Sequence, residues 1–542
     1  MSDQPENSPF QTRLPFYFAI TLIIGLFIGQ QLPRTAAHLQ ESNRSSSTSQ
    51  SVLDEIVRYV QARYVDTVDV NQLQTQAIQH ILHQLDPHSV YISPEEAKLA
   101  EEDMSGGFEG IGVEFILLDD TIQVVTPIKG GPSEQAGIHA GDKMVTIDGV
   151  VVAGVKIDNA SIFKKLRGPK GSPVVLGIKR GTKKELMEFT ISRDRIPLNS
   201  VETAYVLAEK VGYIKINRFT ANTHTEFMEA LRNLVENHRV TDLLLDLRGN
   251  PGGYMEEATN MLSQFFPEDK LLVYTEGRTD SRQEYKSTGR ARFSIRNVAV
   301  LIDEGSASAS EIVAGAIQDH DRGWVIGRRS YGKGLVQEEY PLSNSGKLRL
   351  TVARYFTPSG RSIQRSYQNE ASYDLEEERR FASGELTGKG NMQVADSTPY
   401  YTGMGRVVYA GGGISPDLFI PLDTSYFNEQ FNRLAPVLAP FVSRWLEQHG
   451  KGGIPTDATS FVQHFQVSDE MVLELASYAL KETPVQRQQL EQSKQELKLR
   501  IKARLARLLF DQNTEYQVLN ANDLAVKRAL EVIQQGTPLV KR

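Results

Sequence analysis

The sequence predicts a multidomain α/β protein, and three observations carry that prediction. From about 197 to 424, strand-like apolar runs and helical stretches alternate, the pattern of an α/β core with a largely parallel sheet. Between 105 and 196, short β-type runs are separated by glycine and Asp-Gly turns, which describes a small β-rich module set ahead of that core. Residues 51–104 and 425–542 carry helical periodicity. The 542-residue chain is long enough for several domains, and its 40% apolar and 23% charged content is ordinary for globular protein. A net charge of −7 argues against nucleic acid as a main partner, since phosphate binding needs a basic face. Cysteine is absent, which excludes disulfides, thiolate metal sites and a cysteine nucleophile.

Taken in order, residues 1–13 form a short N-terminal tail, and 14–32 is almost unbroken apolar sequence (Phe16, Phe18, Ile20, Leu22, Ile23, Ile24, Leu26, Phe27, Ile28). A membrane span needs about 20 such residues, so this stretch is short but adequate as a transmembrane anchor. A cleaved signal segment is the competing reading, because Thr35, Ala36 and Ala37 offer small residues for cleavage. Pro33 and Arg34, and the lack of basic residues upstream beyond Arg13, favour the uncleaved anchor. The serine-rich segment 33–50 reads as a flexible linker. Leu53, Ile56, Val57 and Val60, then Leu73, Ala77, Ile78, Ile81 and Leu82, recur at helical spacing and predict two helices. Pro87 breaks the pattern, and His88 beside it reads as a capping or surface residue.

The module at 105–196 is expected to hold strands Gly112–Leu117, Ile122–Pro127, Lys143–Ile147, Val174–Lys179 and Glu188–Ser192, with a helix over Asn159–Leu166. In the core, 197–424, strands are expected at Val211–Ile216, Leu243–Arg248, Leu271–Tyr274 and Val298–Ile302, and helices at Thr223–Val235, Met255–Phe265 and Ser310–Asp319. Asp246 and Arg248 read as a buried ion pair at a strand end. Residues 367–405 read as an exposed polar insertion, and Leu418–Leu422 as a strand returning to the sheet. The basic amphipathic stretch Lys494–Phe510 either packs its apolar stripe on the protein or touches an anionic membrane surface.

The chemistry concentrates at 298–337. A buried strand runs into a tight turn of tiny residues, Gly305 to Ser310, and then a helix. Strand, tight turn and helix can present a serine beside a helix N-terminus, where free N–H groups favour developing negative charge. Such a serine needs a base. His320 lies at the far end of the helix among charged residues and reads as solvent-exposed; Lys333, between two glycines and ahead of Leu335 and Val336, is the better candidate. A lysine serves as base only where desolvation lowers its pKa. Gln337, four residues on, shares its face in an extended segment and could orient it. The glycine turn 249–253 ends a second strand, so the N–H of Gly252 or Gly253 could meet that of Ala309 in an oxyanion hole. No His/carboxylate cluster has metal-ligand spacing, and no metal or other cofactor is expected.

The string from Gly305 through Ser308 to Ile312, followed by Tyr331 through Lys333 to Gln337, resembles the carboxyl-terminal processing peptidases, or tail-specific proteases. Segments at Leu85–Ser93, Asp246–Gly253 and Gly411–Asp417 agree with it, so the resemblance spans roughly 50–422. It implies a crotonase-like α/β protease core with an inserted PDZ domain. It also implies Ser308 as nucleophile, Lys333 as general base 25 residues later and Gln337 as its orienting partner. Gly130 through Ile138 and Gly141 through Gly149 resemble a PDZ domain; Gly110, Ile111, Gly112 and Val113 would be its carboxylate loop, and Ile162, Phe163 and Leu166 would line the groove. A peptide tail would pair with the following strand by β-augmentation, with preference for free apolar C-termini.

The expected protein is a membrane-tethered serine endopeptidase, with its catalytic part on the periplasmic side of a bacterial inner membrane and crossing it once. Its partners are protein or peptide substrates with free apolar tails and, through the anchor, the membrane. Residues 425–542 leave a homodimer or partner docking open. Two other readings stand beside it: a silent PDZ adaptor that captures tails, and a protease whose base is His320.

Overall fold

The computed structural model describes residues 52–118, 120–181, 185–279, 281–368, 373, 375–390, 396–480 and 486–536. The expected anchor at 14–32 and linker at 33–50 lie outside the described residues. Among the described residues no helix is long and apolar enough to cross a membrane. The chain divides into two compact units, Met1–Ile81 and Leu82–Arg542.

The first unit holds α1 (Val52–Arg63) and most of α2 (Val70–His83), the two helices expected from periodicity. Asp54 and Glu55 in the first turn of α1 and Arg63 in its last complement the helix dipole. None of its residues is buried.

The second unit begins with β1 (Val90–Ile92) and α3 (Pro94–Met104), which Ser93 and Glu96 cap reciprocally. The module follows. β2 (Gly107–Gly110) is closed by β9 (Asp194–Pro197), so the two ends of the inserted segment are hydrogen-bonded to each other. Between them lie β3 (Val113–Leu118), β4 (Thr121–Pro127), β5 (Lys143–Ile147), β6 (Val150–Val151), α4 (Asn159–Leu166), β7 (Pro173–Lys179) and β8 (Met187–Ser192). Its sheet runs β3-β4-β5-β7-β8, antiparallel throughout, around Ile122, Val124, Met144, Leu176 and Ile178. Among the described residues β3 is an edge strand, paired only with β4.

The core continues through β10 (Val201–Ala208), β11 (Val211–Ile216), α5 (Thr223–Arg232), β12 (Asp242–Asp246), α6 (Met255–Leu262), β13 (Leu271–Gly277), β14 (Gln283–Lys286) and β15 (Val298–Ile302). Then come α7 (Ala309–Asp319), β16 (Trp324–Gly327), β17 (Leu335–Pro341), β18 (Lys347–Phe356), α8 (Glu376–Ala382), β19 (Asp396–Tyr401), β20 (Val407–Ala410) and β21 (Leu418–Phe419). The main sheet has the order β10-β11-β12-β15-β16-β21; only β10 is antiparallel to its neighbour. Residues at period two sort between its faces. Leu243, Leu245, Val298 and Val300 face α5, α6 and α7, while Leu244, Ala299 and Leu301 face the opposite way. Burial on both faces explains why these strands read as continuous apolar runs.

Two expectations need correction. Leu271–Gly277 does not extend the parallel sheet; it joins an antiparallel one with β14, β18, β1 and β17. Nor is 367–405 simply an exposed insertion. Arg380 and Glu385 are buried in a cluster where Arg329 Nε and Arg380 Nε both donate to Glu385 Oε1, at 2.8 and 3.0 Å. Charge in sequence suggested solvent, but opposite charges paired with hydrogen bonds tolerate burial.

The extension is helical: α9 (Glu429–Leu434), α10 (Leu438–His449), α11 (Ala458–His464), α12 (Asp469–Ala479), α13 (Arg487–Leu509), α14 (Gln512–Asn520) and α15 (Leu524–Gln534). The apolar stripe of α13 (Leu490, Leu497, Ile501, Leu505) is buried against the other helices of the extension. α15 lays Val526, Val532 and Ile533 on the second face of the main sheet.

Candidate active site

The turn after β15 holds three serines in two environments. Ser306 and Ser310 are buried and bound: Ser306 Oγ donates to Leu247 O at 2.8 Å, and Ser310 Oγ to Asn250 O at 3.0 Å. Ser308 between them is half-exposed at the N-terminus of α7, with φ 53° and ψ −114°. That is a left-handed conformation a non-glycine residue adopts only where its surroundings fix it.

What fixes it is Glu311, at the third position of α7. The Ser-x-x-Glu spacing from Ser308 to Glu311 is a capping signature that the sequence itself carries. Its Oε2 accepts from the N–H of Ser308 at 2.8 Å and of Lys333 at 2.9 Å. Its Oε1 accepts from Ser330 Oγ at 2.5 Å and from Gly332 N at 2.7 Å. One carboxyl group therefore joins the backbone at both residues of the expected dyad. Burial pushes it up to about 7, although all four hydrogen bonds favour its ionised form. Tyr355 adds a second tie: its hydroxyl lies 2.6 Å from Lys333 O and 3.1 Å from Ser308 O.

Lys333 is half-buried, and among the described residues its amine has neither a hydrogen bond nor an ion pair. Burial, and then the like charge of Arg349, hold its pKa below the usual lysine value, with Glu311 and Asp86 acting the other way. Gln337 is not hydrogen-bonded to it among the described residues; its Nε2 donates to Thr351 Oγ1 at 3.4 Å. The strand slips register between Val336 and Gln337, which breaks the alternation that put residues 333 and 337 on one face. Thr351 in turn donates to Asp86 Oδ1 at 3.1 Å.

His88 is half-buried, not a free surface residue. Its Nε2 lies 2.8 Å from Tyr373 Oη, and burial followed by the charge of Lys333 lowers its pKa to about 4. Tyr373 comes from a segment far along the chain, so no local pattern could have placed His88 here. His320 hydrogen-bonds Leu271 O at 2.6 Å and packs edge-on against Phe266. It caps the far end of α7, roughly 18 Å along the helix axis from Ser308, too far to act as its base.

The two glycine turns meet as expected. A Cβ on Gly252 would lie 2.6 Å from Ala307 O and 2.7 Å from Ser308 Cβ, so only glycine fits there. The N–H of Gly252 is engaged, donating to Asn250 Oδ1 at 2.8 Å. The N–H groups of Gly253 and Ala309 carry no hydrogen bond among the described residues. Asp246 and Arg248 form the expected pair, Nη2 to Oδ2 at 2.6 Å, with the carboxylate buried and the guanidinium half-buried. Although burial opposes it, Arg248 followed by Lys215 holds the Asp246 carboxyl well below the usual range. Among the described residues no group of three His, Asp or Glu side chains is placed to hold a metal ion.

Residues 210–371 match the model of peptidase family S41, and residues 110–191 that of the PDZ domain. The carboxy-terminal processing protease CtpB of Bacillus subtilis (strain 168) is 36% identical over 369 residues, covering 67% of this chain and 75% of that protein. The chain belongs to the carboxy-terminal processing proteases. The carboxy-terminal-processing protease of Bartonella bacilliformis is 35% identical over 357 residues, covering 64% of this chain and 80% of its own length. Among solved structures, the photosystem II D1 C-terminal processing protease is 26% identical, covering 69% of this chain and 87% of its own, with a TM-score of 0.35. Residues 435–511 match a family of unknown function. This is thus a carboxy-terminal processing serine protease with a PDZ domain.

In the PDZ domain, Gly110 ends β2, and Gly112, with φ 71°, turns the chain from Ile111 into β3 at Val113. Ile111 is buried, and its carbonyl accepts from Ser133 Oγ at 2.6 Å. Ile162 and Leu166 do not line the groove. One helical turn apart, they share the inward face of α4 and belong to the domain's core. Phe163, about a hundred degrees round the helix, stands 45% exposed against Phe115 at the cleft.

Proposed function

We propose that Ser308 and Lys333 are the catalytic dyad of a membrane-tethered endopeptidase that selects substrates by their C-terminal tails. Neutral Lys333 takes the proton of Ser308 Oγ, which attacks the scissile carbonyl; the N–H groups of Ala309 and Gly253 receive the oxyanion. An acyl-enzyme forms, the amine leaves with a proton, and water then releases the peptide. The observation that carries this reading is the shared carboxylate of Glu311, which holds the backbone of both residues while the amine of Lys333 is unpaired among the described residues. Gln337 acts at one remove, beside Thr351 and Asp86.

The PDZ domain supplies the tail site: Gly110–Val113 offers N–H groups to a terminal carboxylate, and β3 offers its free edge. Free apolar C-termini are the tails it takes. The apolar stretch at 14–32, polar on both flanks, supports a single-pass anchor in a bacterial inner membrane with the catalytic part in the periplasm. A homodimer is a further proposal, testable by light scattering. The experiment for the main reading compares a reporter protein ending in a free apolar tail with one ending in a charged tail. The first should be cleaved by the parent and spared by Ser308→Ala, which should still bind it; cleavage by that variant would remove Ser308 as nucleophile.

A further inference from the structure

The tail cleft is not walled by the PDZ domain alone. A cleft of about 730 Å³ runs beside β3, lined by Val113, Glu114, Phe115 and Phe163 and, from the C-terminal extension, by Arg507 and Gln512. Arg507 stands in the last turn of α13 and Gln512 opens α14.

Side chains alternate along a strand, and those of a peptide paired with it alternate in step. Val113 and Phe115 pack on the domain's core, and Glu114 between them reaches Arg507. Arg507 Nη2 donates to Glu114 Oε2 at 2.9 Å, and its Nη1 to Glu515 Oε2 at 3.2 Å. A peptide on the free edge of β3 therefore turns every second side chain to the face on which Glu114 meets Arg507, and the one that lies level with Glu114 emerges beside this guanidinium.

The hydrogen-bonding balance there is uneven. Among the described residues, Arg507 Nε is buried without a hydrogen-bond partner, and so is Nε of Arg167, which lines the same cleft. Glu114, at 40% exposed, is open to water instead. The unmet demand at this wall is for an acceptor, and a guanidinium is best answered by a carboxylate.

We propose that Arg507 makes the C-terminal extension part of the substrate-selecting apparatus, by binding an acidic side chain one to three residues upstream of an apolar tail's last residue. The incoming carboxylate takes the place of Glu114, which turns to solvent. This rests on the tail-capture reading above.

The test is fluorescence anisotropy on the full chain carrying Ser308→Ala to stop turnover. Labelled peptides end in a free apolar residue and carry Asp, Ala or Lys at the upstream positions. The Asp peptide should bind about five-fold more tightly than the Lys peptide. Arg507→Gln should bring that ratio to about one without weakening the Ala peptide, and Arg507→Lys should restore part of it. Glu114→Gln, which removes the competing carboxylate, should raise the ratio. No preference in the parent, or a preference that survives Arg507→Gln, overturns the proposal. If Arg507→Gln binds nothing, Glu114→Gln decides, and a ratio that fails to rise overturns it. Failure of every free-tailed peptide to bind the parent would instead overturn tail capture itself.

Discussion

At Lys333, burial and the charge of Arg349 both disfavour the ammonium, and among the described residues no hydrogen bond or ion pair answers it. The neutral amine gains as pH rises through a folded-state pKa held below 10.5. The rate constant kcat/KM should therefore climb along a basic limb whose midpoint lies below that value, and Arg349→Met should move the limb to higher pH. A profile falling over that range, or an unmoved limb, would speak against the amine as base. His88 gives a second check, in stability. Its folded pKa of about 4 lies below the ordinary histidine value of 6.5, so between these the unfolded chain holds more protons and stability rises with pH. Urea unfolding at pH 4.5 and 7 should show that rise, and His88→Gln should flatten it. Ser308 and Lys333 were legible as local patterns, and the capping spacing of Glu311 was there to be read beside them. His88 was not, because Tyr373 reaches it from 285 residues away.

The strands and helices were read mainly from period-two and period-3.6 patterns, and these survive where burial is one-sided or complete. The module's expected Lys143–Ile147 strand and Asn159–Leu166 helix match residue for residue. What the pattern withheld was partnership. An apolar run such as Leu271–Gly277 does not announce which sheet it joins, and the helical stretch at 162–166 does not say which side meets a groove. The two glycine turns carry the sharpest prediction at this scale. Gly252→Ala would set a Cβ against Ala307 O and Ser308 Cβ, so the turn must shift away from the serine. Its kcat should fall about 100-fold, the order of losing one oxyanion donor, while tail binding is kept. Unchanged turnover would mean the turn contributes nothing to the reaction.

Across the whole protein, the C-terminal extension is the part whose role sequence left open, because its helical periodicity fits many partners. It buries the second face of the main sheet, and Arg248, next to the glycine turn at 249–253, reaches Asp523 at the start of α15 with Nη1 2.6 Å from Oδ2. Ile533→Ala should accordingly cost about 2–4 kcal/mol in urea unfolding, as for any buried large-to-small change. A cost near zero would detach α15 from the core. The central claim remains that the base is a lysine. Cleavage of a tailed reporter by Lys333→Ala and His320→Ala, each checked for unchanged folding, tests it most directly. The account predicts a loss of about 10²–10⁴-fold for the lysine variant and near-parent activity for the histidine variant; an active lysine variant beside an inactive histidine variant would contradict it.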